Sequence, residues 1–230
     1  MKKFTLIAAL ALLTCTTANA QFTNTSGTSN GFKGSGSTLG TLTDVKSDGW
    51  TTMYFQYNPS QFRVKDADDS PFTFHGITYG FSRAIGLTKA VPLYLEVGGN
   101  LRFSLTNNFL DLDDYKWKML TIGVPVNLIY CWNVTDKFAI APYFGFHFDV
   151  HVWGNFKYGD ADALNIFDDD DMKTRSWDLT HKRFQAGWQI GANFMFGNKV
   201  SIGAGYGTEF NELLEQVKTS RAYINLGIIL

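Results

Sequence analysis

The sequence predicts an all-β fold, specifically an eight-stranded antiparallel up-and-down transmembrane β-barrel. Three observations support this prediction. Segments of nine or more residues alternate between apolar and polar side chains, as strands with two different faces do. The connections between these segments alternate in length. The chain contains 20 Phe and 10 Tyr but only 5 Pro, a composition that favours strands.

Eight segments carry the alternation: Trp50–Asn58, Phe72–Ile85, Leu93–Leu105, Trp117–Tyr130, Phe138–Val152, Phe184–Phe196, Val200–Phe210 and Arg221–Leu230. In the third segment, Leu101 and Phe103 fall on one face, whereas Glu96 and Arg102 fall on the other. A tilted membrane strand needs about 9–11 residues, so each segment is long enough to cross a bilayer.

The predicted connections contain thirteen, seven, eleven, seven, thirty-one, three and ten residues in turn. The long connections therefore lie at one end of the barrel and the short ones at the other. In an outer-membrane barrel the short turns face the periplasm and the long loops face outward. Four tryptophans at strand ends are expected to form an aromatic girdle at the membrane surfaces: Trp50, Trp117, Trp132 and Trp153.

A secreted lipocalin-like barrel with an apolar interior is the alternative fold. The apolar faces, however, carry many large side chains, such as Phe144, Phe146 and Phe148, which would overfill a small lumen. Glycines on the opposite faces would relieve a crowded interior; they include Gly187, Gly191, Gly203, Gly205 and Gly207. We therefore expect the apolar faces to contact lipid.

The first 20 residues, MKKFTLIAALALLTCTTANA, have the layout of a cleavable secretory signal, with two lysines, a short apolar run and a small-residue end. Cys15 allows a lipoprotein signal as an alternative. Residues 21–49 are rich in Gly, Ser and Thr, which predicts a flexible leader. The predicted organisation is a signal peptide at 1–20, a leader at 21–49 and a barrel at 50–230. Removal of the signal would leave Cys131 as an unpaired thiol.

Three segments resemble those of small outer-membrane barrels, and more closely the outer-membrane β-barrel domain proteins of Bacteroidota: FDDDDM, KRFQAGWQIGANFMFG and the closing AYINLGIIL. The resemblance implies a multi-pass protein in the outer membrane of a Gram-negative bacterium, in contact with outer-membrane lipid. It also implies that the assembly machinery reads the closing segment, in which apolar residues alternate up to the terminal Leu230. That segment departs from the family pattern because it ends in Leu rather than in an aromatic residue.

The stretch FHFDVHV places His147, Asp149 and His151 at every second position. The backbones of the two histidines are about 13 Å apart along a strand, so the three residues cannot bind one zinc ion together. We expect them instead to join a polar network in the lumen, where buried polar groups must bond to one another. The predicted members of this network are Glu96, Asn100, Arg102, Asn127, His147, Asp149, His151, Gln185, Gln189 and Glu209. Glu96 and Arg102 are expected to find partners on other strands.

Clustered carboxylates occur in the long loops, as DADD at 66–69, DLDD at 111–114, and DAD and DDDD at 160–162 and 168–171. Such clusters suit calcium, although no EF-hand pattern is present. The calcium candidates are Asp160, Asp162, Asp168, Asp169, Asp170 and Asp171. A solvated acidic surface is the alternative interpretation. No cofactor is expected.

The predicted function is non-enzymatic: a barrel whose acidic outer loops serve envelope structure or surface binding, with loop 153–183 as the contact surface for an extracellular ligand. A narrow, porin-like transport channel is the alternative. A barrel enzyme acting on lipid or peptide is a further one, for which Ser176 and His181 are a weak nucleophile and base pair. A formal net charge of -1 gives no argument for nucleic acid as a partner.

Overall fold

The computed structural model describes residues 49–64, 72–88, 91–106, 115–160, 162–168, 181–197, 199–213 and 217–230. Several sequence predictions fall outside these residues: the signal peptide with Cys15, residues 21–48 of the leader, the acidic segments 66–69, 111–114 and 169–171, and Ser176. Within the described part of the chain, no helix is long and apolar enough to cross a membrane.

The described residues form ten strands: β1 (Trp50–Val64), β2 (Phe72–Gly86), β3 (Leu93–Thr106), β4 (Tyr115–Tyr130), β5 (Trp132–Thr135), β6 (Phe138–Tyr158), β7 (Leu164–Asn165), β8 (Phe184–Phe196), β9 (Val200–Glu209) and β10 (Val217–Ile229). Eight of them are long and pair antiparallel in the order β4, β3, β2, β1, β10, β9, β8, β6. A further antiparallel pairing of β4 with β6 closes the sheet. The predicted eight-stranded up-and-down barrel is therefore confirmed.

The prediction was wrong about where the longest loop begins. It placed residues 153–158 in that loop, but β6 continues to Tyr158, and the two-residue β7 pairs with its end. The register between β4 and β6 shifts where Leu120 pairs with Trp153 while Thr121 pairs with His151, so Val152 is an extra residue in a β-bulge. The bulge interrupts the alternation of side chains, which is why the regular pattern of the sequence ends at Val152.

The outward face of the barrel is apolar on every long strand. Each of the eight contributes at least one large, well-exposed hydrophobic side chain; one from each strand is Phe55, Ile77, Leu101, Leu128, Phe144, Ile190, Ile202 and Ile224. Polar and charged residues at the alternating positions point inward and are buried. We call the outward apolar face the belt.

Two of the four tryptophans predicted for the girdle lie elsewhere. Trp132 and Trp153 are exposed at 42% and 40%, whereas Trp50 and Trp117 are buried in the lumen. Trp50 packs against Tyr94 with ring centroids 4.6 Å apart. The reason is strand parity, because Trp117 shares its face with inward Thr121 rather than with outward Leu120.

Buried apolar side chains cluster at both ends of the lumen. At the short-turn end lies the inner cluster: Trp50, Ala84, Tyr94, Ile129, Cys131, Ala139, Ala141, Tyr143, Met195 and Tyr223. At the long-loop end lies the outer cluster: Phe62, Phe74, Trp117, Met119, Phe156, Ile166, Phe167, Leu213 and Val217. Ile166 and Phe167 belong to the longest connection, so its described part folds over the mouth of the barrel.

In the inner cluster, burial raises the pKa of the Cys131 thiol to about 11, which keeps this free cysteine protonated at neutral pH.

Inward glycines make room for large side chains on neighbouring strands. Tyr143 of β6, Gly191 of β8, Gly205 of β9 and Tyr223 of β10 are successive cross-strand partners. The two tyrosines reach over the two glycines, and the Tyr143 hydroxyl donates to the Tyr223 hydroxyl at 2.8 Å. A side chain at position 205 would occupy the place of the Tyr223 ring, since its Cβ would lie 2.4 Å from a ring carbon.

We predict that Gly205→Val lowers the free energy of unfolding by about 1–3 kcal/mol, because it overpacks the lumen. Ala204→Val is the matched control, since Ala204 is the adjacent residue and faces outward. Urea unfolding followed by tryptophan fluorescence measures both variants. Equal stability of the two variants would contradict the packing described for this row.

Candidate functional site

A network of buried charges occupies the lumen between the two clusters, with Asp149 of β6 at its centre. The Asp149 Oδ2 atom accepts a hydrogen bond from Arg102 Nη2 of β3 at 3.0 Å and another from Arg221 Nη1 of β10 at 2.7 Å. All three side chains are less than a tenth exposed. Two guanidinium groups thus stabilise one carboxylate that would otherwise be very costly to bury.

The network continues to His147 through Glu209 of β9. Arg221 Nη1 lies 3.9 Å from Glu209 Oε1, and His147 Nε2 donates to Glu209 Oε2 at 2.7 Å. His147 and Glu209 are both cross-strand partners of Gly187, which separates them on β8. A Cβ at Gly187 would lie 2.6 Å from the imidazole, so the bond forms because position 187 lacks a side chain.

Glu96 of β3 is bonded by neutral groups. Its Oε1 accepts from the Ser82 hydroxyl and its Oε2 accepts from Asn127 Nδ2, each at 2.7 Å. Gln189 Nε2 in turn donates to Asn127 Oδ1 at 2.7 Å, across Gly145 on the strand between them.

The same arrangement recurs elsewhere in the lumen. Asn100 Nδ2 lies 3.5 Å from the Tyr54 hydroxyl, across Gly80. Asn225 Nδ2 donates to Asn193 Oδ1 at 3.4 Å, across Gly203. An inward glycine between two polar residues is therefore a repeated device of this lumen.

His151 makes its hydrogen bonds to neutral residues rather than to the charged ones. Its Nε2 donates to Gln185 Oε1, and its Nδ1 contacts the Thr121 hydroxyl, each at 2.8 Å. The three polar residues of FHFDVHV are thus all buried, but His151 bonds to neutral groups on β4 and β8, whereas His147 and Asp149 join the charged network.

One group of potential metal ligands exists among the described residues: atoms of His147, Asp149 and Glu209 lie within 4.8 Å of one another. Asp149 already accepts bonds from Arg102 and Arg221. A divalent cation here would lie beside two guanidinium groups, and like charges repel strongly in a buried site. The arrangement therefore suits a salt-bridge network better than a metal centre.

The calcium candidates fall into two sets. Asp160, Asp162 and Asp168 are exposed in the longest connection. Asp169, Asp170 and Asp171 lie outside the described residues. Calcium binding by this segment stays a prediction.

All ten residues predicted for the lumen point inward, and nearly all are buried. The prediction missed several of their partners, above all Arg221, together with Ser82 and Thr121. Strand parity could have identified Arg221, because Ile224 and Leu226 of the same strand face outward. The positions of the inward glycines also carry information, since each shows where two neighbours approach each other.

A small polar cavity remains beside the network, lined by residues that include Glu96, Asn100, Tyr143, Asn193 and Asn225. The volume of the cavity that is open to water is about 60 Å³. One buried water needs roughly 10–15 Å³, so several fit. The cavity thus has room for water that completes the bonding of these polar groups.

No protein-family model matches the chain, and no curated protein is significantly similar to it. Solved structures that align with it include Ail, the attachment invasion locus protein of Yersinia pestis, at 12% identity over 80% of this chain and 99% of that chain, with a TM-score of 0.44. Neisserial surface protein A aligns at 11% identity over 78% of this chain and 96% of that chain, with a TM-score of 0.46. The outer membrane enzyme PagL aligns at 10% identity over 74% of this chain and 97% of that chain, with a TM-score of 0.39. These scores are all below 0.5, so the fold assignment rests on the strand pairing of this chain, and the resemblance to Bacteroidota proteins stays a prediction.

We predict that Asp149→Asn lowers the free energy of unfolding by about 3–5 kcal/mol, because it leaves the buried Arg102 without a carboxylate partner and Arg221 with Glu209 alone, at 3.9 Å. Asp160→Asn is the control, since this aspartate is exposed. Urea unfolding of both variants in the same detergent gives the comparison. A stability of Asp149→Asn within about 0.5 kcal/mol of the control would refute the central role of Asp149.

Proposed function

We propose that the chain is an integral outer-membrane β-barrel protein of a Gram-negative bacterium, without enzymatic activity, whose closed lumen passes no solute. Its outer loops serve envelope structure or surface binding. The belt is the observation that carries the proposal, because all eight long strands expose large apolar side chains on the same outward surface. Monomers in water rarely expose a contiguous apolar patch larger than a few hundred Å².

The dimensions of the belt support a membrane location. On β4 the outward residues from Leu120 to Leu128 are all apolar, and Tyr130 ends the series. The ten residue steps from Leu120 to Tyr130, at about 3.3 Å each and tilted by about 40°, rise about 25 Å, which is the height of the apolar band on outer-membrane barrels. Trp153 pairs with Leu120 at one end of this stretch, and Trp132 follows Tyr130 at the other end. Both tryptophans are exposed, and aromatic side chains favour the membrane surface.

The interior argues against both a lipocalin-like barrel and a transport channel. A lipocalin-like barrel needs an apolar interior and a wettable exterior, whereas this barrel has a charged network inside and the belt outside. The inner and outer clusters close the lumen at its two ends. An eight-stranded barrel is just wide enough to be filled by side chains, so a solute has no path.

The absence of enzymatic activity is part of the proposal. Thr121 and His151 form a hydroxyl and imidazole contact, but both are buried beneath the outer cluster, where a substrate has no access. The contact between the Tyr57 hydroxyl and His75 Nδ1, at 2.7 Å, lies on the outward face. No carboxylate bonds to the imidazole of His75 among the described residues, so this pair lacks the third group that orients a catalytic base.

Surface binding would use the longest connection and the neighbouring loops. Its described part combines exposed Asp160 and Asp162 with Ile166 and Phe167, which anchor it in the outer cluster. Ile166 and Phe167 thus hold the described part of this connection at the barrel mouth. This arrangement fits an extracellular ligand with positive charge, while outer-membrane lipid surrounds the belt and the assembly machinery handles the closing strand.

Ile224→Lys tests the membrane location, because Ile224 is 60% exposed at the middle of β10. A lysine at the bilayer midplane costs about 2–4 kcal/mol. On a protein surface in water the same change costs less than about 0.5 kcal/mol. We expect the large loss when unfolding is measured in lipid vesicles, and little loss for Val134→Lys, which lies in β5 beyond the belt. A small effect of Ile224→Lys, with the wild-type protein in the soluble fraction, would overturn the proposal.

The closed lumen predicts that the wild-type protein gives no steady single-channel conductance in planar bilayers. Successful insertion is checked separately by the shift in electrophoretic mobility between boiled and unboiled samples. Steady conductance from inserted protein would favour the narrow channel instead.

A further inference from the structure

Resting on the proposed membrane location, we propose that Lys116, Lys118 and Lys157 form a binding site for the phosphate groups of a lipid in the outer leaflet. The lipid carries phosphate in its headgroup, and its acyl chains lie along the belt. The site is on the outward face at the long-loop end of β4 and β6.

The strand register brings these three lysines together. Lys116 of β4 is the direct cross-strand partner of Lys157 of β6, and Lys118 pairs with Asn155 one row nearer the belt. Cross-strand partners lie about 5 Å apart, and alternate residues of one strand lie about 7 Å apart. Lys116 and Lys118 are exposed, and Lys157 is partly buried. Three flexible ammonium groups can therefore converge on one phosphate group.

The cluster lacks a counter-charge within the described part of the chain. None of the three lysines forms an ion pair with a described carboxylate. Like charges directly opposite each other on a sheet are destabilising. An external anion would remove this repulsion, and a lysine ammonium binds phosphate well as a point charge.

The level of the cluster identifies the anion as part of a lipid. The row below Lys118 and Asn155 consists of Leu120 and exposed Trp153, and below that row the belt continues without interruption. The lysines thus lie just above the apolar band, at the height of lipid headgroups. A ligand with phosphate and acyl chains satisfies both surfaces, whereas free phosphate satisfies the lysines alone.

The test is a titration of the folded protein in uncharged dodecyl maltoside micelles with bisphosphorylated lipid A, read by native mass spectrometry at low salt. Lys116→Gln/Lys157→Gln removes two charges from the cluster. Lys137→Gln/Lys199→Gln is the matched control, because it removes two exposed lysines from the short-turn end. Each lysine near an anionic lipid contributes about fivefold in affinity, so we expect the first variant to bind about 25-fold more weakly and the control to bind as the wild type does.

Two further arms distinguish the sources of phosphate. We expect dephosphorylated lipid A to bind weakly to all three proteins, and inorganic phosphate at the lipid concentration not to displace the lipid. Equal binding by the two double variants, or displacement by inorganic phosphate, would overturn the lipid site. Electrophoretic mobility and vesicle insertion are recorded for the same samples. A wild-type protein that inserts but fails these arms refutes the lipid site alone, whereas one that does not insert refutes the membrane location itself.

Discussion

The structure depends on one constraint: the lumen of an eight-stranded barrel is so narrow that its polar side chains must bond to one another. The backbones of neighbouring strands lie about 5 Å apart. A hydrogen bond between side chains of two strands that are not neighbours must therefore pass over a residue of the strand between them. This barrel places glycine there, as Gly187 between His147 and Glu209 and Gly145 between Asn127 and Gln189 show. The glycines are therefore as much a part of the network as the charged groups are.

Burial of charge follows from the same constraint. Asp149 sits between two arginines from distant strands, which ties β3, β6 and β10 together across the lumen. Removal of one partner from such a buried pair is strongly destabilising, because it leaves the other charge uncompensated. The inner and outer clusters separate it from the two ends, so an apolar layer lies on each side of a polar centre.

Because the polar groups of the lumen bond to one another, contacts with other molecules involve the outer surface of the barrel. Two surfaces are available there, the belt with the basic cluster above it and the outer loops with their acidic residues. They carry opposite charges, since Lys116 and Lys157 lie on the strands whereas Asp160 and Asp162 lie in the connection. An anionic lipid surface would attract these lysines and repel these aspartates.

The eight strands, their direction and the inward side of Glu96, Arg102 or His147 could be predicted from the sequence, because alternation within a strand has a period of two and the connection lengths alternate with it. Alternation carries no information about register between strands, and register decides which residues meet. For that reason only the assembled barrel shows that Asp149 pairs with Arg221. It also shows which glycines lie between bonded residues, and that lysines of β4 and β6 face each other. The bulge at Val152 extended β6 past its expected end for the same reason: a partner strand, rather than the local pattern, holds an irregular residue in a sheet.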